Sequence, residues 1–421
     1  MKQYLNKFNT TTEYNTFKNS ANYIKPNVSV CVDNKIHYNP LIWAEEYFTT
    51  VALENGTISF SILRSIGTDK ITSISYSTNN GETWITTNNI NNKSEHLVID
   101  VNVNRGDNVL WKGIATQMAD LDDWGEDYCG SFFSSTCKFD AKGNVMSLLY
   151  GDNYKGQTII NENYVFCRLF YDYDRQKTCN IVNAKDLSLP ATTLGNYCYY
   201  GMFESCTSLV TVPQLPATIL AEHCYYNMFH NCTSLTTAPK LPATTLASGC
   251  YISMFHNCTS LTTAPELPAT TLANNCYNHM FASCTSLVTA PELPATTLAN
   301  NCYYYMFDGC TNLVNAPELP ATTLVNDCYN GMFKGCKSLI IAPELPATTL
   351  ANYCYQYMFN GCKKLNYIKA MFTTTPSTTY TNNWVNGVAS TGTFVKNSAA
   401  TWTTTGVNGI PTGWTVETAD S

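Results

Sequence analysis

Charged residues are scarce in this chain. They make up 13% of its 421 residues, and the formal net charge at pH 7 is −7. Binding nucleic acid through a basic face requires clustered Lys and Arg, so the composition predicts no nucleic-acid partner. The polar surface must come mainly from Asn, Thr and Tyr, which suits contact with sugars or with other proteins.

Long apolar runs are also missing. No stretch of 18 apolar residues occurs, so the sequence predicts no helix that spans a membrane. The opening residues MKQYLNKF contain no apolar core of the kind found in secretory signals, so we expect no export leader.

Metal-binding cysteine motifs are absent, although the chain has 19 cysteines. Structural zinc sites use Cys-x-x-Cys pairs or clusters of Cys and His, and the sequence has neither. Fourteen cysteines form two columns of a repeat, from Cys198 and Cys206 to Cys354 and Cys362, and the odd total argues against a disulfide framework. We therefore expect buried free thiols, no metal, no cofactor and folding in a reducing cytoplasm.

The six histidines do not suggest catalysis. His223, His230, His256 and His279 occupy repeat columns that hold other residue types in other copies. The repeat cysteines are expected to face the core, where no cation lowers their pKa. A catalytic site needs one convergent set of groups, so the sequence predicts a protein that is not an enzyme, with no catalytic residues.

The dominant feature of the chain is a repeat of 26 residues between Leu189 and Ala370. Each copy has the pattern LPATTL, a variable pair, Cys-Tyr, a second variable pair, Met-Phe, and then Cys and Leu. A fixed period of this length predicts a solenoid, because one copy is too small to bury its apolar residues alone. Seven copies begin at Leu189, Leu215, Leu241, Leu267, Leu293, Leu319 and Leu345.

Within one copy, the spacing predicts a short helix followed by a short strand. Cys302, Met306 and Cys310 recur every four residues and would form one stripe of a helix. Residues 313–316 would then form a strand that Pro317 ends, because proline has no backbone N–H to donate. The apolar columns, including the seven phenylalanines and Leu287, should be buried between copies.

The same residues resemble a known family. A Cys-x-x-Leu that closes a helix carrying Met-Phe is similar to the BspA-type leucine-rich repeat, and the resemblance covers residues 189–370. It implies a right-handed, single-coil solenoid. Such repeats occur in surface adhesins of anaerobic bacteria and in proteins of their phages, so the resemblance is specific for the fold rather than for one function.

Residues 41–160 predict a β-sandwich, because several short β-rich segments alternate with turn signals such as Asn79-Asn80-Gly81. One of these turns, Ser77 to Trp84, resembles the sialidase Asp-box, with Asn79 in place of the aspartate. That box is a turn-stabilising motif away from the catalytic centre. It occurs once here, and the domain has few arginines, so a structural hairpin is the favoured interpretation and a sialidase-like glycosidase the disfavoured one.

The acidic run from Asp120 to Asp127 has two interpretations. It holds enough carboxylates for a calcium loop, but it lacks the spacing of a known calcium-binding register. A solvated acidic loop is the alternative and the favoured interpretation.

The segments that flank the repeats predict end caps. The sequence from Ile181 to Ala184 is similar to the expected repeat strand at residues 313–316. Residues 161–188 are therefore interpreted as a degenerate capping repeat. Residues 371–421 contain Trp384, Trp402 and Trp414 and predict a β-rich cap that covers the last copy. A carbohydrate-binding module with exposed tryptophans is the alternative.

Residues 1–40 have too few apolar residues to form a core, and they predict an extended arm. The arm either lies on the next domain of its own chain or docks into a larger assembly, and the sequence leaves both interpretations open. Lys7 to Thr10 followed by Pro26 to Ser29 resembles leaders of virion proteins from phages of gut anaerobes. We expect the strand Val28 to Val32 to add to a strand of another chain. We also expect a homo-oligomer, with a trimer favoured by analogy with phage fibres.

Together these segments predict a mixed α/β and all-β fold. Its parts are a docking arm (1–40), a β-sandwich-like domain (41–160), a degenerate capping repeat (161–188), a leucine-rich-repeat solenoid (189–370) and a C-terminal cap (371–421).

The predicted function is that of a virion appendage, made in the host cytoplasm, that displays the repeats to a host glycan or receptor. A bacterial surface adhesin or glycan-binding module outside a virion is the alternative. The predicted ligand-binding residues lie at the second variable pair, where Tyr, Asn and His are concentrated as they are in paratopes. They are Tyr200, Tyr226, His279, Tyr304, Tyr305 and Tyr357. Solvated positions that are free to vary would give a similar pattern.

Overall fold

A computed structural model describes most of the chain. The described residues are 7–8, 30–32, 35–37, 46–62, 70–88, 97–121, 128–171 and 179–419. Most of the acidic run between Asp120 and Asp127 lies outside these ranges, so the calcium interpretation has no structural counterpart here.

Strands account for 25% of the structure and helices for only 3%. The helices are α1 (Ser147–Tyr150) and α2 (Thr378–Thr381), and a 3₁₀ turn covers Gly151–Asn153. The strands are β1 (Lys7–Phe8), β2 (Val30–Val32), β3 (Lys35–His37), β4 (Phe48–Ala52), β5 (Gly56–Ile62), β6 (Ile71–Ser77), β7 (Ile85–Asn88), β8 (Leu97–Val103), β9 (Asn108–Ala115), β10 (Ala119–Leu121), β11 (Tyr128–Gly130), β12 (Phe132–Ser135), β13 (Phe139–Asn144), β14 (Ile181–Ser188), β15 (Tyr367–Ala370), β16 (Thr393–Asn397) and β17 (Thr415–Ala419).

The two larger sheets of the part that precedes the repeats pack face to face. One has six strands in the order β14-β13-β4-β9-β6-β7, and the other has three in the order β12-β5-β8. Aromatic rings fill the space between them, since Phe133 lies 4.6 Å from Phe60, 5.2 Å from Trp111 and 5.1 Å from Phe48. This core exists because inward positions of the facing strands carry large apolar side chains.

The six-stranded sheet is continuous with the repeats. Strand β14 pairs in parallel with β13, and its Asn183 bridges to Thr211 of the first copy. The preceding segment also joins the array, because the rings of Phe166 and Phe170 stack on Tyr199 and Phe203. One buried cluster therefore runs from Phe48 to Trp414.

The predicted fold class is wrong for the repeats. The expected mixed α/β solenoid of strand, corner and helix is not formed, because the helix content is 3% and none of it lies in residues 189–370. The segment from Cys302 to Gly309 consists of successive turns. The expected strand at residues 313–316 is reduced to isolated parallel bridges such as Asn315 to Ile341.

Left-handed residues explain why no helix forms. Asn301, Tyr305 and Gly309 have φ angles of 55°, 52° and 72°, so every fourth residue leaves the right-handed region that a helix requires. The three positions recur in the other copies and are mostly Asn, Gly, Ser or Asp, and of these Gly, Asn and Asp accept this conformation most readily.

Backbone hydrogen bonds alternate along these turns. The amides of Tyr304, Met306 and Asp308 donate to the carbonyl three residues earlier, at 3.1 to 3.3 Å. The amides between them, including Tyr305 and Phe307, donate to the next copy at 2.8 and 2.9 Å. Half of the amides therefore shape the turn and the other half bind neighbouring copies together. We call the assembled residues 189–370 the repeat stack.

The predicted burial of the phenylalanines is confirmed. All seven are 0% exposed, and consecutive rings lie nearly parallel with centroids 5.6 to 5.9 Å apart. A second column of buried tyrosines stacks in the same way. The residues are Phe203, Phe229, Phe255, Phe281, Phe307, Phe333 and Phe359, and Tyr199, Tyr225, Tyr251, Tyr277, Tyr303, Tyr329 and Tyr355.

Aromatic residues cover the last copy. Trp384 is fully buried against Tyr355 and Phe359, and its Nε1 donates to the Gly409 carbonyl at 2.9 Å. Strands β15, β16 and β17 form a parallel sheet at this end. Trp402 and Trp414 are 5% and 7% exposed, so these tryptophans do not form the open face that a carbohydrate-binding module would need.

In the arm, β2 lies between β1 and β3 in a small sheet. It pairs in parallel with β1 and antiparallel with β3, so both of its edges are occupied within the chain. The expectation that this strand adds to a strand of another chain is therefore wrong for Val30–Val32. Docking by other residues of the arm stays a prediction.

Candidate functional site

The variable positions of the repeat stack bring five rings into one continuous row. The rings from His230 to Tyr305 contact one another across neighbouring copies, Tyr304 contacts Tyr305 within one copy, and the side chains are partly buried rather than fully solvated. We call this row the ring strip; it consists of His230, His256, His279, Tyr304 and Tyr305.

The contacts along the ring strip are close. The centroids of His230 and His256 lie 4.9 Å apart, and those of His256 and His279 lie 6.1 Å apart. His279 stacks on Tyr305 at 5.2 Å with an interplanar angle of 11°. Tyr304 lies 4.6 Å from Tyr305 and 5.5 Å from His279, so the two tyrosines close the row.

The backbone holds two of these rings in a costly conformation. His279 and Tyr305 have φ angles of 53° and 52°, in the left-handed region. The same column contains Gly201, Ser253 and Gly331, so smaller residues are compatible with this site of the turn. A bulky residue there costs about 1–2 kcal/mol relative to the right-handed region. Ring contacts worth about 0.5–1.5 kcal/mol each offset that cost and fix the rings in place.

Opposite charges lie at the two ends of the ring strip. At one end, Glu204 Oε1 is 3.3 Å from His230 Nδ1, and Glu204 Oε2 is 3.9 Å from Arg168 Nε. Glu204 is 8% exposed, so this carboxylate belongs to a nearly buried cluster. At the other end, Lys334 Nζ lies 4.9 Å from the centroid of Tyr305.

Burial controls the protonation of the middle histidines. It lowers the pKa of His256 to about 4, and the adjacent imidazoles of His230 and His279 also disfavour a further positive charge. Burial likewise lowers the pKa of His279, with Lys334 acting in the same direction. At neutral pH these two rings are therefore uncharged and stack as neutral aromatics.

The tyrosines at the end of the row stay protonated at neutral pH. Burial raises the pKa of Tyr305 to about 12, and the neighbouring Tyr304, Asp308 and Tyr357 add to the shift. Burial also raises the pKa of Tyr304, as do Asp327 and Tyr357. Both hydroxyls can therefore donate hydrogen bonds.

The six predicted ligand-binding residues fall into two groups. His279, Tyr304 and Tyr305 contact one another, and Tyr357 lies two copies further along the column of Tyr305. Tyr226 and Tyr200 instead meet edge to face at 4.9 Å near Arg168, and Tyr200 is only 6% exposed. We therefore leave Tyr200 out of the site proposed below.

Sequence reasoning did not select His230, His256 or Lys334 as ligand-binding residues. All three lie three residues after the left-handed position that Tyr305 occupies in its own copy. In a helix, this spacing of three residues would not by itself bring these side chains into contact with a ring of the neighbouring copy. The stacked turns do so, because each copy hydrogen-bonds in parallel register with its neighbour.

The Asp-box-like turn is a structural hairpin element. Asn79 Oδ1 accepts hydrogen bonds from Ser77 Oγ at 2.8 Å and from the Thr83 amide at 3.0 Å. Asn79 Nδ2 donates to Thr83 Oγ1 at 2.9 Å. Trp84 packs under the ammonium group of Lys112, which lies 4.1 Å from its ring. The asparagine thus stabilises the turn.

In the described part of the chain, no three His, Cys, Asp or Glu side chains converge in a way that could hold a metal ion. Each α-helix found there has four residues, and none is long and apolar enough to cross a membrane, which takes about 20 residues.

No protein-family model, no curated protein and no solved structure matches this chain. The resemblance to BspA-type repeats therefore stays a prediction, and the function must be argued from the ring strip itself.

Proposed function

We propose that this chain is a non-enzymatic attachment protein, part of a phage virion appendage, whose repeat stack presents the ring strip to a glycan or receptor on the host surface. The observation that carries the proposal is the parallel contact between His279 and Tyr305, both held in the left-handed region. Both rings keep a backbone conformation that costs a bulky residue about 1–2 kcal/mol, and the contact between them offsets that cost.

The scaffold supports a binding role. The copies are joined by backbone hydrogen bonds and by buried Phe, Tyr and Cys columns, so the ring strip rests on a rigid support. Rings that are fixed before binding lose little conformational entropy when a ligand stacks on them. Tyrosine is also a frequent contact residue in binding surfaces, because it offers a large flat face and a hydroxyl group.

Binding to cells tests the attachment role. The full chain should bind one or more isolates from a panel of gut anaerobes, and the variant Tyr305→Asn should bind at least tenfold more weakly. Asparagine keeps the left-handed backbone, since Asn227 occupies the same column. The matched control is Tyr353→Asn, which changes an exposed left-handed tyrosine outside the ring strip. Equal loss in both variants would contradict the proposal.

The virion role rests on residues 1–40 and on their resemblance to phage leaders. Mass spectrometry of purified particles should find the chain. Deletion of residues 1–40 should leave a folded protein that no longer joins the particle. Because β2 has both edges occupied, the contact would use other parts of the arm. Absence from particles would refute the virion role.

A further inference from the structure

The end of the ring strip has the features of a subsite for one ligand class, and this inference rests on the proposed attachment function. Gly331 follows Tyr305 in the same column, one copy further along. A Cβ at Gly331 would lie 2.6 Å from Cε2 of Tyr305, so the Tyr305 ring lies directly over this glycine. Because Gly331 has no side chain, the ring of Tyr305 fits between His279 and the backbone of the next copy.

Tyr304 and Tyr305 present two ring faces at an angle. Their planes are inclined by 44°, and both side chains are partly exposed. Tyr357 lies close enough to contribute to the raised pKa of both phenols. In their shared column, Tyr305 and Tyr357 flank Gly331 on either side, and the Gly331 amide donates to the Gln356 carbonyl at 2.7 Å.

Fixed polar groups border these rings. Asn330 is 4% exposed, and its Nδ2 donates to Asp327 Oδ1 at 2.8 Å and to Gln356 Oε1 at 3.1 Å. This buried amide orients both neighbours across two copies. Within the described residues, Asp327 Oδ2 and Gln356 Nε2 make no hydrogen bond, which leaves one acceptor and one donor near the tyrosines.

The charges select against ionic ligands. Asp308 and Asp327 offset the single positive charge of Lys334, and the whole chain carries a net charge of −7, so an anionic ligand is disfavoured. A cationic ligand would compete with Lys334, whose ammonium group already lies over Tyr305. The ligand that suits flat apolar faces beside a hydroxyl-binding carboxylate and amide is a neutral sugar.

We propose that Tyr304, Tyr305 and Tyr357, together with Asp327 and Gln356, form a subsite for a neutral pyranose ring of a surface glycan. The C–H face of the sugar packs on the tyrosine rings. Its hydroxyl groups donate to Asp327 and accept from Gln356. The subsite is assembled from three copies of the repeat, so no single copy contains it.

The experiment uses the full chain on an array of neutral hexose, N-acetylhexosamine and sialylated oligosaccharides. We expect binding to neutral glycans and weaker or no binding to sialylated ones. Saturation-transfer NMR with a bound oligosaccharide should show contact through the ring protons of one pyranose. Tyr305→Asn and Asp327→Asn should each weaken binding at least tenfold, whereas Tyr353→Asn should leave it unchanged.

Two results would overturn the subsite. One is the absence of binding to any neutral glycan, and the other is neutral-glycan binding that both variants retain. If cells are still bound, and protease treatment of the cells abolishes that binding, the attachment function stands while the pyranose subsite fails. Thermal unfolding midpoints of each variant show that a loss of binding is not a loss of fold.

Discussion

The thiol of Cys284 donates a hydrogen bond to the carbonyl oxygen of Phe255, 3.0 Å away in the preceding copy. The same oxygen accepts the amide of Cys258 at 3.0 Å, so two consecutive cysteines of one column meet at one carbonyl. Equivalent thiol contacts run from Cys232 to Cys362. The cysteines thus serve as small buried donors that tie neighbouring copies together.

Cys284→Ala should lower the free energy of unfolding by about 1–3 kcal/mol, because it removes both the thiol contact and buried volume. Cys179→Ala, at a partly exposed thiol, should have a smaller effect. Urea unfolding curves provide the comparison. If both substitutions lower the free energy of unfolding equally, the buried thiol contact of Cys284 does not contribute to stability.

Leu287→Ala should cost about 2–5 kcal/mol, since Leu287 is fully buried in the middle of the stack and truncation leaves a cavity. The control is the adjacent Val288→Ala. Val288 is 49% exposed, and its truncation should change stability by less than about 0.5 kcal/mol. A loss below about 1 kcal/mol for Leu287→Ala would contradict its place in the core.

Gly331→Ala should destabilise the chain more than Gly335→Ala. Both glycines are left-handed, at 62° and 72°, so both variants share a backbone cost of about 1–2 kcal/mol. Only the Cβ at position 331 would clash with the ring of Tyr305. Adding Tyr305→Ala should therefore rescue part of the Gly331→Ala loss. A double-mutant cycle with no coupling would show that the ring does not rest on this glycine.

The free energy of unfolding should decrease as the pH is lowered, because of His256. Its pKa is about 4 in the folded chain and about 6.5 when unfolded, so between these values the unfolded state binds more protons. The stabilising contribution is complete above about pH 6.5 and is lost as the pH falls toward 4. His256→Asn should flatten this part of the profile, and asparagine suits the column because Asn360 occupies it.

Urea midpoints at several pH values between 7 and 4 give the measurement for His256. The groups that surround it are His230 and His279, with Glu204 beyond the first and Lys334 beyond the second. If the unmodified chain and His256→Asn show the same dependence of the urea midpoint on pH, the acid sensitivity arises from groups other than His256.

Asn79→Ala should destabilise the hairpin between β6 and β7 by about 1–3 kcal/mol, because Ser77 and Thr83 lose their shared partner. Trp84 should become more exposed, which tryptophan fluorescence can follow. Asn79→Asp is the matched variant, because it keeps the acceptor oxygen and loses only the donation to Thr83. Unchanged stability in the alanine variant would mean that the box does not support the turn.

The period and the buried columns of the repeats could be predicted from the sequence, whereas the local conformation was predicted wrongly. Cys302, Met306 and Cys310 lie every four residues, and both a helix and a series of left-handed turns bury such a pattern. A spacing of 4.0 rather than 3.6 over two turns is too small a difference to decide between them.

A better signal was present in the neighbouring columns. The positions of Asn301, Tyr305 and Gly309 hold Asn, Gly, Ser or Asp in most copies, again every four residues. These residues are poor in the middle of a helix, and Gly, Asn and Asp are favourable at positive φ. Their regular spacing indicates repeated left-handed turns.

The candidate site could be found only in part. The variable pair that contains Tyr304, Tyr305 and His279 was visible because it changes from copy to copy. The contacts with His256 and Lys334 depend on the lateral offset between copies, which the period alone does not give. The contact between the Tyr305 ring and Gly331 likewise depends on where the ring lies, which the residue types alone do not predict.

The alternation of backbone hydrogen bonds within and between copies has a consequence at the level of the gene. Every internal copy offers the same set of donors and acceptors to the copies before and after it. An unequal crossover that adds or deletes whole multiples of 26 codons would therefore leave both ends of the array properly joined. Such an event would also change which rings meet, so new surfaces could arise by reordering existing copies, without any point mutation.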